Sequence, residues 1–186
     1  MAFDKALTGL KATQGLILDL RDTPSGGSTV VVRAIMGRFI SHTMFYQRHS
    51  VPAEERAYGV KRSWIEEVSP RGTFCYTGAV VVLVDHWTGS MGEGLTIGID
   101  AMNRARIVGT EMARLRGATE GILLPNSRIQ VHYPTGKLFH VNRKPREAFM
   151  PPIYVDLLSP SARQMKDPIL QAGIETLSRS LKCRVR

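Results

Sequence analysis

One stretch in the middle of the chain decides the fold: GAVVVLVDHWTGSMGE, residues 78–93. Its first eight residues form an unbroken apolar run closed by an aspartate, which predicts a strand buried on both faces. Residues 86–89 then form a loop, and a helix is predicted from Ser90 to about Asn103. The apolar residues of this helix recur at helical spacing: Met91, Leu95, Ile99 and Met102. A buried strand, a loop and a helix in succession indicate an α/β architecture.

A second unit of the same kind lies upstream. Residues 15–21, GLILDLR, predict another buried strand, residues 22–28 a turn-forming loop, and residues 30–40 a helix. An amphipathic helix over residues 3–13 precedes them. Both loops follow a buried strand and precede a helix, and in open α/β sheets this is where ligands and catalytic groups gather.

The remaining elements are shorter. Residues 43–49 predict an edge strand, and the polar segment 51–69 holds one short strand or helix around Trp64. Further strands are predicted at 107–109, 122–124, 128–133, 138–141 and 153–157, with the turn 134–137 joining the third and fourth of these into an antiparallel pair. A terminal helix opens with Pro168 at its first position. Its predicted apolar face consists of Ile169, Leu170, Ile174, Leu177 and Leu181.

Composition and charge narrow the function classes. The 186 residues, 43% hydrophobic and 22% charged, suit one globular domain. The basic residues behind the net charge of +9 are scattered and have no aromatic residues between them. This distribution favours a solvated face or a subunit contact over nucleic-acid binding, and it is compatible with a homo-oligomer. No apolar stretch is long enough to span a bilayer, and the first ten residues do not form a signal peptide. Because no cluster of Cys, His and Asp has ligand spacing, neither a metal nor a cofactor is expected.

Ser90 is the central candidate residue. A serine at a strand-to-helix junction places its hydroxyl beside the unpaired N–H groups and the positive dipole end of the helix, which suits an alkoxide and an oxyanion. The pattern alone, however, favours an ordinary helix cap, because Ser90 and Glu93 also form a capping box. In the first loop the amides of Gly26 and Gly27 could point at an oxyanion, or the glycines could serve only the turn.

The order of these segments resembles that of the C-terminal processing, or tail-specific, serine peptidases of family S41. The resemblance covers residues 3–158. The motifs that carry it are the GLILDLR strand with its Gly-Gly loop, Ser90 three residues before Glu93, and PPIYV at residues 151–155. It implies an α/β fold of the ClpP/crotonase-like type with stacked ββα units. It also implies an endopeptidase that forms an acyl-enzyme on Ser90, with the oxyanion held by amides of Gly26 or Gly27 and of Met91.

The general base departs from the tail-specific pattern. Members of the Ser-Lys type carry a lysine about two dozen residues after the serine, but residues 111–121 contain only Arg114 and Arg116, and arginine stays protonated. The closer resemblance is to the tricorn-like branch, which uses serine, histidine and a glutamate at the place of Glu147. In that branch the histidine lies upstream of the GLILDLR segment, so the base is expected outside this chain, and His86 is the less favoured base or substrate contact.

Residues 1–158 are accordingly expected to be a catalytic core whose first strands are missing, with residues 159–186 as a helix packed on it or extending from it. Family resemblance favours a periplasmic or exported protein acting on a peptide or protein substrate. Two alternatives stay open: an inactive fragment of the same fold that binds peptide, and a crotonase-like enzyme acting on a thioester. Nucleic-acid binding ranks last.

Overall fold

The computed structural model describes residues 2–24 and 27–184. The helices are α1 (Ala2–Gly9), α2 (Thr29–Met36), α3 (Pro52–Tyr58), α4 (Met91–Ala101), α5 (Pro160–Arg163) and α6 (Pro168–Arg184), with a short 3-10 helix at Arg146–Ala148. The strands are β1 (Gly15–Asp19), β2 (Met44–Ser50), β3 (Ser63–Val68), β4 (Ala79–Val84), β5 (Arg106–Gly109), β6 (Thr119–Leu123), β7 (Gln130–Pro134), β8 (Lys137–Phe139) and β9 (Ile153–Tyr154).

A four-stranded parallel sheet in the order β1-β4-β5-β9 forms the centre, which confirms the α/β fold. All six residues of β4 are buried. Val80, Val82 and Val84 pack in the main core with residues of α2 and α4, whereas Val81 and Leu83 face α6 on the other side. The apolar run of β4 is unbroken because both of its faces are covered.

A second, antiparallel sheet has the order β3-β2-β8. The prediction of an edge strand at residues 43–49 was wrong, because β2 is the central strand of this sheet and packs on α4 through buried Tyr46 and Gln47. The polar segment after it holds two elements, α3 and β3, rather than one. Its charged residues do not conflict with a strand, because β3 is an edge strand with one largely exposed face.

The strands after β5 pair differently from the prediction. The turn at 134–137 does not join an antiparallel pair: β7 pairs with β6, and β8 pairs with β2. The amides of Thr135 and Gly136 both donate to the carbonyl of Ala118, which turns the chain out of the hairpin and into the second sheet. Every residue of β6 and β7 is exposed.

We expect the β6–β7 hairpin to be the least protected part of the sheet structure. A two-stranded hairpin without a packed face is marginally stable in water. Amide hydrogen exchange followed by mass spectrometry should therefore show exchange over residues 119–134 at least about 100-fold faster than over β4. Protection of the hairpin equal to that of β4 would contradict this expectation and would mean that its apolar face is covered in solution.

Helix α6 packs on β1, β4 and β5 and buries Ile169, Gly173 and Thr176. Two helix predictions need correction. Ile174 is 45% exposed, because the buried face of α6 runs through the small residues Gly173 and Thr176 rather than through Ile174. The first helix ends at Gly9 and continues as turns instead of reaching residue 13. Among the described residues no helix combines the length and apolarity that crossing a bilayer requires.

Arg21 connects the end of β1 to the start of α6. Its guanidinium donates to Asp19 at 2.7 Å and to Asp167 at 2.7 Å, and Asp167 in turn accepts from the amide of Leu170 at 2.9 Å. These hydrogen bonds from Arg21 hold the pKa values of both aspartates below their ordinary value of 3.8. The folded chain therefore binds fewer protons at these two sites than the unfolded chain does when the pH falls below that value.

We expect Arg21→Gln to be less stable than wild type at neutral pH, and we expect this difference in stability to disappear in acid. The stabilisation from a depressed aspartate pKa is present above the unfolded value and disappears as the pH falls through the folded one. Urea midpoints of wild type and Arg21→Gln should differ at pH 7 and converge below about pH 3.8. Arg56→Gln, which removes an exposed charge from α3, should follow wild type throughout. A difference in urea midpoint between wild type and Arg21→Gln that stays constant with pH would refute the role of Arg21 in lowering the two aspartate pKa values.

Candidate active site

Ser90 lies between the buried strand β4 and helix α4. Its backbone has φ 51° and ψ −110°, a left-handed conformation that is costly for any residue with a Cβ. The residue is half-buried. Such strain of roughly 1–3 kcal/mol persists only where the surrounding structure imposes it, and it concentrates at functional sites.

Three loops meet around this turn. Gly89 N–H donates to the carbonyl of Thr23 in the first loop at 3.0 Å, and Ala113 N–H, after β5, donates to the carbonyl of Thr88 at 3.0 Å. A Cβ at position 89 would lie 2.6 Å from the carbonyl oxygen of Pro24, so only glycine allows this approach. The two loops predicted to carry the chemistry are therefore in direct contact.

The amides of the first turn of α4 differ in their hydrogen-bond partners. The predicted capping box is present: Ser90 N–H donates to the Glu93 carboxylate at 2.9 Å, and the Ser90 side chain accepts from the amide of Glu93. Gly92 N–H donates to the Gly89 carbonyl at 2.9 Å. Among the described residues nothing accepts a hydrogen bond from Met91 N–H. This amide follows Ser90 at the positive end of the helix dipole, where a developing oxyanion would be stabilised.

Glu93 is completely buried and lies against Arg146, which is also buried. A guanidinium nitrogen of Arg146 is 3.5 Å from a Glu93 carboxylate oxygen, and the exposed fractions of the two side chains are 2% and 0%. Glu93 also accepts from Leu115 N–H at 3.2 Å. This pair is not predicted from the sequence, because Arg146 lies in a basic segment, residues 143–146, whose charges are expected to be solvated.

Arg146 fixes two backbone carbonyls beside the site. It donates to the carbonyl of Leu115 at 2.7 and 3.1 Å and to the carbonyl of Ser90 at 3.3 Å. Burial raises the pKa of Glu93, and the nearby guanidinium and the amide donors oppose that rise. The backbone of Ser90 is thus held on both sides: its N–H by the Glu93 carboxylate and its C=O by the Arg146 guanidinium.

Glu147 follows Arg146 in the 3-10 helix, which packs on α4. Its side chain is half-buried, and its carbonyl accepts from the Arg114 guanidinium at 3.2 Å. Arg114 therefore bridges the loop after β5 to the segment that carries Glu147. Glu147 also follows Arg146, which contacts Ser90 directly.

The other predicted site residues are less closely joined to Ser90. His86 is exposed, and its ring packs on Trp87 at 4.9 Å between centroids. Gly27 is exposed, and no atom of the described residues lies within 4 Å of the place where its Cβ would stand. Gly26 lies outside the described residues. No histidine in residues 2–24 and 27–184 forms a hydrogen bond with Ser90, and no group of three His, Cys, Asp or Glu residues there could hold a metal ion.

This arrangement defines an α/β protein with a strained serine at the amino terminus of the helix that follows its central buried strand. The family model for peptidase family S41 matches residues 1–148. The chain therefore belongs to peptidase family S41. A search of the curated proteins found no match to the chain.

Solved structures share the fold at low sequence identity. A candidate peptidase from Parabacteroides merdae is 19% identical with a TM-score of 0.75, and the match covers 94% of this chain and 55% of that one. Mature CPAF is 15% identical with a TM-score of 0.73, over 97% of this chain and 45% of CPAF. The photosystem II D1 C-terminal processing protease is 17% identical with a TM-score of 0.58, over 81% of this chain and 36% of that one. The chain thus spans about half the length of the first two structures.

Proposed function

We propose that the protein is a serine endopeptidase in which Ser90 is the nucleophile. The observation that carries this proposal is the strained backbone of Ser90 at the start of α4, followed by the Met91 amide, which has no acceptor among the described residues. A helix cap needs no positive φ, since capping serines ordinarily have extended backbone. The strain is therefore better explained by the need to present the hydroxyl at the surface of the site.

The proposed reaction is acyl transfer in two steps. Ser90 Oγ attacks the peptide carbonyl while a base accepts its proton, and Met91 N–H, with an amide of Gly26 or Gly27, holds the oxyanion. The leaving amine takes the proton as the C–N bond breaks, which leaves an ester on Ser90. Water then hydrolyses this ester with the same base, which releases the peptide acid and restores the hydroxyl.

We propose that the base is a histidine from outside these 186 residues, oriented by Glu147, with His86 as the second choice. The absence of a histidine bonded to Ser90 within the described residues supports this order. The same observation favours the alternative that this chain by itself binds peptide without cleaving it. By family resemblance, the whole protein would be exported or periplasmic.

Turnover by the whole protein tests the proposal. The protein expressed from its full reading frame should cleave an unfolded substrate such as casein, and Ser90→Ala should abolish cleavage while leaving the melting temperature close to that of wild type. His86→Ala should keep most of the activity if the base lies elsewhere. Equal cleavage by wild type and Ser90→Ala would refute the role of Ser90.

A further inference from the structure

A cavity of about 520 Å³ opens between α3 and the antiparallel sheet. Its walls come from β2, β3 and β8 and from the segment after β8. Its lining is rich in positive charge, which comes from the side chains of Arg48, Lys61, Lys137 and Arg143. Only one carboxylate, that of Glu55, lies in its lining. Burial lowers the pKa of His49, which also lines the cavity, so that its imidazole adds no charge near neutral pH.

These four cations have no partners within the part of the chain that the structure describes. None of them forms an ion pair or a side-chain hydrogen bond there. The Nε of Arg48 is buried without a hydrogen-bond acceptor. Leaving a buried donor unsatisfied is costly, and a concave wall of like charge concentrates a positive potential. Neighbouring basic residues differ: Arg62 pairs with Glu54, and Arg146 pairs with Glu93.

One chain segment links the cavity to the candidate active site. Phe139 lines the cavity and forms a bridge with Pro145, and the next residue, Arg146, donates to the carbonyl of Ser90. One wall of the cavity is thus continuous with the segment that holds the nucleophile turn. A polypeptide bound across Ser90 could place a side chain in this cavity.

We propose that this cavity binds a carboxylate side chain of an acidic polypeptide substrate. The proposal rests on the proposed peptidase function, which supplies a polypeptide at the neighbouring site. Arginine and lysine around a small concave space suit a carboxylate, which accepts several charge-assisted hydrogen bonds. A nucleic acid would need a continuous basic surface to follow its backbone, and the remaining charges of this chain are dispersed.

The test measures binding without cleavage. In a Ser90→Ala background, fluorescence anisotropy should detect an end-blocked peptide rich in Glu and Asp, and a matched peptide with Gln and Asn should bind at least about tenfold more weakly. Arg48→Gln/Lys137→Gln should weaken binding of the acidic peptide at least about tenfold. Arg163→Gln/Lys166→Gln removes the same charge from exposed positions outside the cavity and should leave binding unchanged.

A second variant protects the test against misfolding. If Arg48→Gln/Lys137→Gln melts well below its parent, Lys61→Gln/Arg143→Gln replaces it, because both of these side chains are exposed. Equal loss of binding in the cavity variant and the Arg163/Lys166 control would overturn the proposal. So would a single-stranded oligonucleotide that binds as tightly as the acidic peptide and with the same dependence on the cavity residues.

The outcomes separate the two proposals. Binding that depends on the cavity in a protein without peptidase activity would leave the acidic-peptide site standing and refute only the catalytic role of Ser90. Peptidase activity that depends on Ser90, without selective binding of the acidic peptide, would refute the cavity proposal alone.

Discussion

Arg146→Met is expected to lower the free energy of unfolding by about 3–5 kcal/mol. The substitution removes the only guanidinium that lies against Glu93 in the described residues and leaves a fully buried carboxylate without its counter-charge. Methionine fills a similar volume, so the loss would come mainly from the charge and from the hydrogen bonds to Ser90 and Leu115. Urea or thermal unfolding of purified variants would measure it.

Two controls isolate the contribution of the pair. Arg163→Met removes an exposed arginine of α5 that has no side-chain partner in the described residues, and we expect a change within about 0.5 kcal/mol. Glu93→Gln/Arg146→Met removes both charges and should be more stable than Arg146→Met alone. A loss below about 1 kcal/mol for Arg146→Met would contradict the view that this pair supports the nucleophile turn.

Ser90→Gly is expected to abolish catalysis and at the same time to stabilise the fold relative to Ser90→Ala by about 1 kcal/mol. Glycine adopts the positive φ of this position without the steric cost that a Cβ incurs, although it loses more entropy on folding. Both variants lack the hydroxyl, so the difference between them reports the backbone strain of a Cβ at this position, reduced by the extra entropy that glycine loses on folding.

Parallel unfolding curves of the two variants measure this difference. Asn103 also has a positive φ, of 50°, and lies at the other end of α4, where no catalytic role is proposed. The corresponding comparison of Asn103→Gly with Asn103→Ala calibrates the strain expected of an ordinary helix terminus. If Ser90→Gly were no more stable than Ser90→Ala while the Asn103 pair differed as expected, Ser90 would not be held in a strained conformation.

The buried strands of the central sheet and the position of Ser90 between a strand and a helix could be predicted from the sequence, because both depend on local patterns. A short apolar run rich in valine indicates a buried strand, and the helical spacing of the apolar residues after the loop indicates a helix. The contact between the first loop and the nucleophile turn also follows from topology, since adjacent parallel strands end at the same edge of the sheet. The sequence shows a glycine at position 89, but it does not show that a Cβ there would collide with the carbonyl oxygen of Pro24.

Arg146 could not be recognised from the sequence, because an arginine in a polar, basic segment ordinarily belongs to a solvated surface. Its partner Glu93 nevertheless indicated that a buried cation was needed. Residues 92–99 of α4 are buried all round, and Glu93 is the one charged residue among them. A carboxylate inside such a helix requires a cation from elsewhere in the chain, although the sequence does not say which one.

The pairing of β7 and β8 was mispredicted for a related reason. A Pro-Thr-Gly-Lys turn between two short strands is a good local hairpin signal. The observed pairing depends instead on the carbonyl of Ala118, which is distant along the chain and binds the amides of Thr135 and Gly136. Strand pairing that is set by a long-range hydrogen bond leaves no trace in local periodicity.

Covalent labelling tests the role of Ser90 most directly. The protein would be treated with a fluorophosphonate probe and digested, and the modified residue identified by mass spectrometry, both for the 186-residue chain and for its full reading frame. We predict a single adduct on Ser90 in the full protein that is absent from Ser90→Ala and is suppressed by peptide substrate. Full reading-frame protein that folds and yet gives no adduct on Ser90 would contradict the assignment of this serine as a nucleophile.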